Sequence, residues 1–329
     1  MHEALYYEPH QHGVICRLCP KECIIAEGST GFCRVRRNTG GRLYSENYGA
    51  CSAKALDPIE KKPLYHFYPG SYILSLGTWG CNFSCRFCQN WHIAQSQPEA
   101  TTLPPENAVE TAASLGPRNI GLAYTYSEPS VWFEYVLDTA KIARSRGLKN
   151  VLVTNGFINP RPLAELLPHV DALNIDVKAF NDHFYQEVCA GRLADVQRTV
   201  EMAAAAAHVE VTCLVVPGLN DSVAELTALA EWLASISKDI PLHFSRYFPN
   251  YKMTVPPTPV ATLEMAQDIA FKHLSYVYLG NAGAEGVNTH CPACGRLVID
   301  RLRRCSHLAE NKKCPQCGSK ITIIGEVSF

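Results

Sequence analysis

The chain has 329 residues, 47% hydrophobic and 19% charged, enough for one large core with small appendages. Thirty Lys and Arg against 31 Asp and Glu leave a net charge of −1, which argues against bulk electrostatic binding to nucleic acid or an anionic membrane. No apolar run reaches the roughly 18–20 residues of a bilayer span. The N-terminus lacks a secretion pattern, so a cytoplasmic protein with no membrane association is expected.

The chain holds 15 cysteines, most of them in groups. In a reducing compartment, clusters at such short spacings read as metal ligands sooner than as disulfides. The first group is Cys16, Cys19, Cys23 and Cys33, in a segment rich in Gly, Lys and Arg. Its uneven spacing does not match a double-knuckle zinc site, and Cys19-Pro20 is similar to cluster-binding ferredoxin segments. Zinc and an auxiliary 4Fe-4S cluster both stay open here.

Short β-branched runs then alternate with amphipathic stretches. The strands are expected at Tyr72 to Gly77, Asn119 to Tyr124, Asn150 to Thr154, Ala172 to Asp176, Val209 to Val216, Leu242 to Ser245 and Tyr276 to Leu279. Helices are expected between them, for example at Pro105 to Leu115, Ser130 to Arg146 and Ser222 to Ser237. This alternation means right-handed βαβ units and a parallel sheet. Six or seven units fall short of eight, so the expected fold is α/β, a partial (β/α)6-type TIM-like barrel. A cysteine-rich N-terminal segment, 1–70, precedes the barrel at 71–285, and a metal ribbon follows at 286–329.

In such folds the site lies at the C-terminal ends of the strands, and polar residues follow each expected strand there. They are Cys81, Cys85 and Cys88; Ser127 and Glu128; Asn155; Asp176 and Lys178; Asn220; His243 and Arg246; and Asn281. The three thiolates at C-x3-C-x2-C cannot complete a tetrahedral zinc site without a fourth ligand, for which His92 is the nearby candidate. A 4Fe-4S cubane suits three thiolates, because one iron is left for substrate.

Near the C-terminus, Cys291, Cys294, Cys314 and Cys317 form two knuckles, with Gly295 and Gly318 after each second cysteine. The spacing is that of zinc ribbons and rubredoxin-like modules, so zinc or rubredoxin-type iron is expected. Arg301, Arg303, Arg304, Lys312 and Lys313 between the knuckles read as a solvated basic face.

The motif Gly80-Cys81-Asn82-Phe83-Ser84-Cys85-Arg86-Phe87-Cys88-Gln89-Asn90 resembles the signature of the radical S-adenosylmethionine (SAM) enzymes. More narrowly, Asp57 to Phe67 (DPIEKKPLYHF), Tyr124 to Pro129 (YTYSEP) and both outer cysteine groups resemble the AmmeMemoRadiSam system radical SAM enzymes, close to the pyruvate formate-lyase activating enzymes. The resemblance implies a cluster on Cys81, Cys85 and Cys88 that reductively cleaves SAM to a 5′-deoxyadenosyl radical for hydrogen abstraction. It implies that Glu128 receives the cofactor amino group and that Thr154 and Asn155 approach the ribose or methionyl part. Asp176 and Lys178 match an Asp-x-Lys near the cofactor carboxylate, Phe87 is expected near adenine, and the segment holding Asn220 resembles the adenine-binding region. Ser127 stands where a glycine is usual. Tyr65, His66, His243, Arg246 and Asn281 are substrate-side candidates. A flavodoxin or ferredoxin reductant, Memo-like and AMMECR-like partners and a protein-glycine substrate are implied by the same resemblance. Two other classes compete: an iron-sulfur electron-transfer protein, which has no need of three-cysteine ligation, and a zinc-dependent nucleic-acid-binding protein, which the charge balance disfavours.

Overall fold

The computed structural model describes residues 2–283 and 286–329, so the expected boundary at 285 falls on a residue outside the described ones. Its centre is an eight-stranded sheet: β1 Ala53–Pro58, β2 Tyr72–Gly77, β3 Asn119–Tyr124, β4 Lys149–Thr154, β5 Ala172–Asp176, β6 His208–Val215, β7 Leu242–Arg246 and β8 Val277–Gly280. The strands lie side by side in chain order. All neighbours are parallel except β1, which runs antiparallel to β2 with Asp57 opposite Ile73. Consecutive order with right-handed crossovers sends every connecting helix to one face and leaves the other face for a site. The sheet is open, since β1 and β8 are its two edges.

The crossover helices include Pro105–Ser114, Phe133–Ser145, Leu193–Ala204, Val223–Ile236 and Val260–Ala270. Ser222 caps one of them, accepting from the Glu225 N–H at 3.2 Å. Gly147, at φ +75°, ends another. Gly121 has φ +156°, and a Cβ there would meet Lys149 O at 2.0 Å, so β3 and β4 approach as only glycine allows.

The expected strands lie within a residue or two of those observed. The additional edge strand β1 belongs to the central sheet, so a division at residue 70 leaves one of its strands on the N-terminal side. Two small antiparallel sheets, His2–Glu3 with Arg42–Ser45 and Arg36–Thr39, and Tyr7–His10 with Gly13–Cys16 and Ile24–Ile25, build the N-terminal segment. It is pinned to the helix Phe133–Ser145 by the buried ion pair Arg36 Nη2–Glu134 Oε1, 2.5 Å, and by Trp132 Nε1 donating to Asn47 O at 2.7 Å. The C-terminal ribbon holds the strands Thr289–His290, Leu297–Asp300 and Cys305–Ser306. Its tail returns under the central sheet, with Tyr68 N–H donating to Ile324 O (2.8 Å) and Ser328 N–H to Pro69 O (2.7 Å). No helix among the described residues is long and apolar enough to cross a membrane.

Candidate active site

A cavity of about 570 Å³ opens at the C-terminal ends of β2 to β7, lined among others by Cys81, Cys85, Cys88, Glu128, Asp176 and Lys178. The cysteine loop is set by its neighbours. Ser84 and Arg86 donate their N–H groups to Cys189 O and Val188 O, both at 3.0 Å, and Phe83 N–H points at Cys81 Sγ, 3.3 Å away. Asn155 adds a side-chain donor to the same sulfur at 3.6 Å.

Burial raises the Cys81 thiol well above its usual range, helped by the charge of Glu128. A hydrogen bond with Cys189, and then burial, do the same for Cys85, and burial pushes Cys88 up to about 11. Buried thiolates of this kind need cationic compensation, which iron supplies. His92 does not line the cavity, and no set of three ligand atoms within 4.8 Å of one another forms around these cysteines among the described residues. The donor set therefore fits a cluster and not a mononuclear zinc ion.

Glu128 is 2% exposed and accepts three hydrogen bonds. Ser130 N–H (2.9 Å) and Thr154 Oγ1 (2.7 Å) donate to Oε1, and Asn155 N–H (2.8 Å) to Oε2. A carboxylate offers about four lone-pair sites, so Oε2 keeps one for a further donor. Burial still holds Glu128 above its ordinary value despite these bonds. Across the cavity Lys178 Nζ lies 2.5 Å from Asp176 Oδ2 and 6.0 Å from the centre of the Phe87 ring. Burial alone would lower Lys178, and Asp176 reverses it, so the lysine stays charged.

Several expected residues lie elsewhere. Thr154 does not line the cavity; it acts on Glu128. Asn220 is buried beneath the loop after β6, accepting from Val216 N–H at 2.6 Å and donating to Leu214 O and Lys178 O. It supports the Lys178 backbone and does not face the cavity. Ser127 lines the cavity, and its buried hydroxyl has no partner among the described residues.

The substrate-side candidates need a larger correction. His243 Nε2 lies 2.6 Å from Glu210 Oε2, and Tyr65 and His66 donate their backbone N–H groups to the same carboxylate at 2.9 and 2.7 Å. His66 Nε2 lies 2.6 Å from Tyr278 Oη. These groups pack around Glu210, most of them buried, and none of them lines the cavity. Arg246 donates to Thr258 O at 2.7 Å, and Asn281 donates to Ser245 Oγ, 3.2 Å away; Ser245 lines the cavity, and Asn281 does not.

Sequence reasoning missed the opposite wall. Lys62 is 2% exposed and 2.7 Å from Asp57 Oδ2, which also accepts from Tyr126 Oη at 2.6 Å. Lys61 Nζ lies 2.9 Å from Asp57 Oδ1, and Lys61, Lys62 and Tyr126 all line the cavity. The adjacent lysines in the Asp57 to Phe67 stretch were the available signal.

The C-terminal cysteines behave differently from the other two groups. Their four Sγ atoms lie within 4.8 Å of one another, with Cys291–Cys317 at 3.5 Å and Cys294–Cys314 at 3.6 Å. Hydrogen bonding with Ser319 lowers the Cys317 thiol, while Cys294, in the same group, is held up.

Residues 76–231 match the family model described as the radical SAM superfamily. The chain is 45% identical over 337 residues to an uncharacterized protein of Methanocaldococcus jannaschii, covering 98% of this chain and 100% of that one. It is 30% identical over 120 residues to the benzylsuccinate synthase activating enzyme of Thauera aromatica, covering 35% of this chain and 36% of that one. Among solved structures, Streptococcus suis SuiB bound to S-adenosylmethionine superposes with a TM-score of 0.52 at 11% identity, over 69% of this chain and 54% of SuiB. The chain belongs to the radical SAM superfamily. It is a radical SAM enzyme, and its superfamily implies a 4Fe-4S cluster and SAM.

Proposed function

We propose that this enzyme reductively cleaves SAM at a cluster held by Cys81, Cys85 and Cys88 and uses the product for hydrogen-atom abstraction, as a member of the AmmeMemoRadiSam lineage. The observation that carries this reading is one cavity, at the C-terminal strand ends, lined by three thiols, the Glu128 carboxylate and the Asp176–Lys178 pair. When bound, cluster and SAM together supply a one-electron cleavage that yields a 5′-deoxyadenosyl radical.

The residues divide the work of binding and orienting. The remaining lone pair on Glu128 Oε2 accepts from the methionyl ammonium, and that cation offsets the burial that raises the carboxyl. Thr154 and the Asn155 backbone hold Glu128 for this contact. Lys178 holds the methionyl carboxylate, and Asp176 keeps the lysine aimed. Phe87 packs against the adenine. The wall formed by Lys61, Lys62, Asp57 and Tyr126 faces the substrate, which the activating-enzyme resemblance makes a protein glycine. The open sheet is read as a partial barrel whose lateral mouth admits it.

The C-terminal ribbon, 286–329, is proposed to hold zinc as a structural ion. Zn–S bonds of about 2.3 Å put thiolates about 3.8 Å apart, near the separations observed. A low-potential flavodoxin or ferredoxin serves as reductant, Memo-like and AMMECR-like proteins are the proposed partners, and the free thiols suit the reducing cytoplasm.

Anaerobic incubation of the reconstituted protein with dithionite and SAM tests the reading. 5′-Deoxyadenosine is expected from the wild type and not from Cys85→Ala. Its absence from cluster-loaded wild type would favour an electron-transfer protein.

A further inference from the structure

Cys16 ends the strand Gly13–Cys16, and Cys19, Cys23 and Cys33 lie in the connections that follow, yet all four line one small cavity. Its volume is about 10 Å³, room for about one water at most. The other walls are largely apolar, with Leu18, Ile25 and Val131 among them.

Spacing identifies the filler. No three of these sulfurs lie within 4.8 Å of one another, unlike the C-terminal set, so the thiols are not gathered around a single ion. A cubane spreads its thiolates to the corners of a larger tetrahedron, and Cys81, Cys85 and Cys88 likewise form no such tight group among the described residues. Two donors point to an anionic occupant. Arg36 lines the cavity and is 1% exposed; Nη1 and Nη2 are committed to Leu5 O and Glu134, but Nε has no partner among the described residues. Phe32 N–H donates to Cys23 Sγ at 3.4 Å.

We propose that Cys16, Cys19, Cys23 and Cys33 hold a second 4Fe-4S cluster, capped at all four corners by protein, with Arg36 Nε–H free to donate to one of its sulfurs. The site adjoins the central loop. A Cβ at Gly80, whose φ is +88°, would meet Cys33 O at 2.6 Å, and Asn82, next to Cys81, lines the N-terminal cavity. The two cysteine loops thus touch through backbone. This inference stands apart from the SAM-cleavage reading, because metal content reports on it without turnover.

The test uses the full chain carrying Cys81→Ala, Cys85→Ala and Cys88→Ala, reconstituted anaerobically with iron, sulfide and zinc. About four irons and four sulfides per chain are expected to remain. Adding Cys16→Ala and Cys33→Ala should remove them and leave about one zinc. Iron near zero with about two zincs in the first variant would overturn the proposal. Should that variant fail to fold, Mössbauer spectroscopy of iron-57 wild type decides: about eight irons in cubane clusters support the proposal, and about four overturn it.

Discussion

Asn155 donates its side-chain amide to Cys81 Sγ at 3.6 Å while its backbone N–H holds Glu128 Oε2 at 2.8 Å, so one residue braces the metal-binding thiol and the buried carboxylate together. Its side chain also donates to Asn82 Oδ1 at 2.9 Å. Asn155→Ala removes the donor to sulfur and leaves the backbone contact. A donor facing sulfur stabilises the more negative, reduced cluster. The central cluster potential is expected to fall by about 40 mV, the one-electron equivalent of about 1 kcal/mol, as followed by an EPR redox titration.

Glu128→Gln keeps the shape but removes the charge facing the proposed ammonium. Hydrogen bonds to charged groups contribute about 1.5–3 kcal/mol, so SAM affinity should weaken by about 10- to 150-fold with iron content unchanged. Calorimetric titration of the anaerobic, cluster-loaded protein checks this, and unchanged affinity would remove Glu128 from the cofactor site.

His66 makes acid stability a separate question from activity. Burial lowers it to about 4, with Arg301 and His208 adding to the effect while Glu210 opposes it. The unfolded chain, with histidine near its ordinary value, binds the proton first. Stability should therefore fall as pH drops from about 6.5 to 4, by up to about 3 kcal/mol from this residue. Urea unfolding at several pH values should show that slope in the wild type and a flatter one in His66→Asn.

Glu210 contributes at lower pH. Burial by itself would raise it, and the hydrogen bonds and charges of His208 and His243 reverse this, holding it well below the carboxylate range. Its depressed value adds stability that is present above the unfolded value and lost as pH falls towards the folded one. Glu210→Gln should leave Tyr65 and His66 poorly held and cost about 3 kcal/mol or more at pH 7, measured by the same urea curves.

Cys294→Ala should release the C-terminal ion and destabilise the whole protein by more than about 3 kcal/mol, since the ribbon is stitched to the sheet floor. Arg301 Nη2 donates to Tyr65 O at 2.6 Å, and Ile324 N–H donates to His66 O at 2.8 Å. A single lowered calorimetric transition is the expected result; loss of the ribbon alone, with the main transition unmoved, would contradict it.

The parallel strands were legible because each is a short, largely apolar run buried mostly on both faces. β1 was not, because Ala53–Pro58 carries Ala, Lys, Asp and Pro, which speak weakly for a strand. The cysteine groups announced themselves by spacing. His243 was misjudged for a geometric reason: it shares a face with Ser245, and alternation tells which face a residue takes but not its depth. Ser245 borders the cavity, while His243 does not and lies against Glu210. The Asp57–Tyr126 contact joins residues 69 positions apart and depends on the placement of β1, so no local pattern could reveal it.

The tail that passes beneath the sheet also bears on biosynthesis. Ile324 and Ser328 are bonded to Tyr68 and Pro69, more than 250 residues earlier in the chain. During vectorial translation the polar underside around His66 must wait, uncovered, until residues 324–328, more than 250 positions later, have left the ribosome. Premature termination shortly before Ile324 would thus release a polypeptide with most of its strands made and its base unsealed, a natural target for chaperones and proteases.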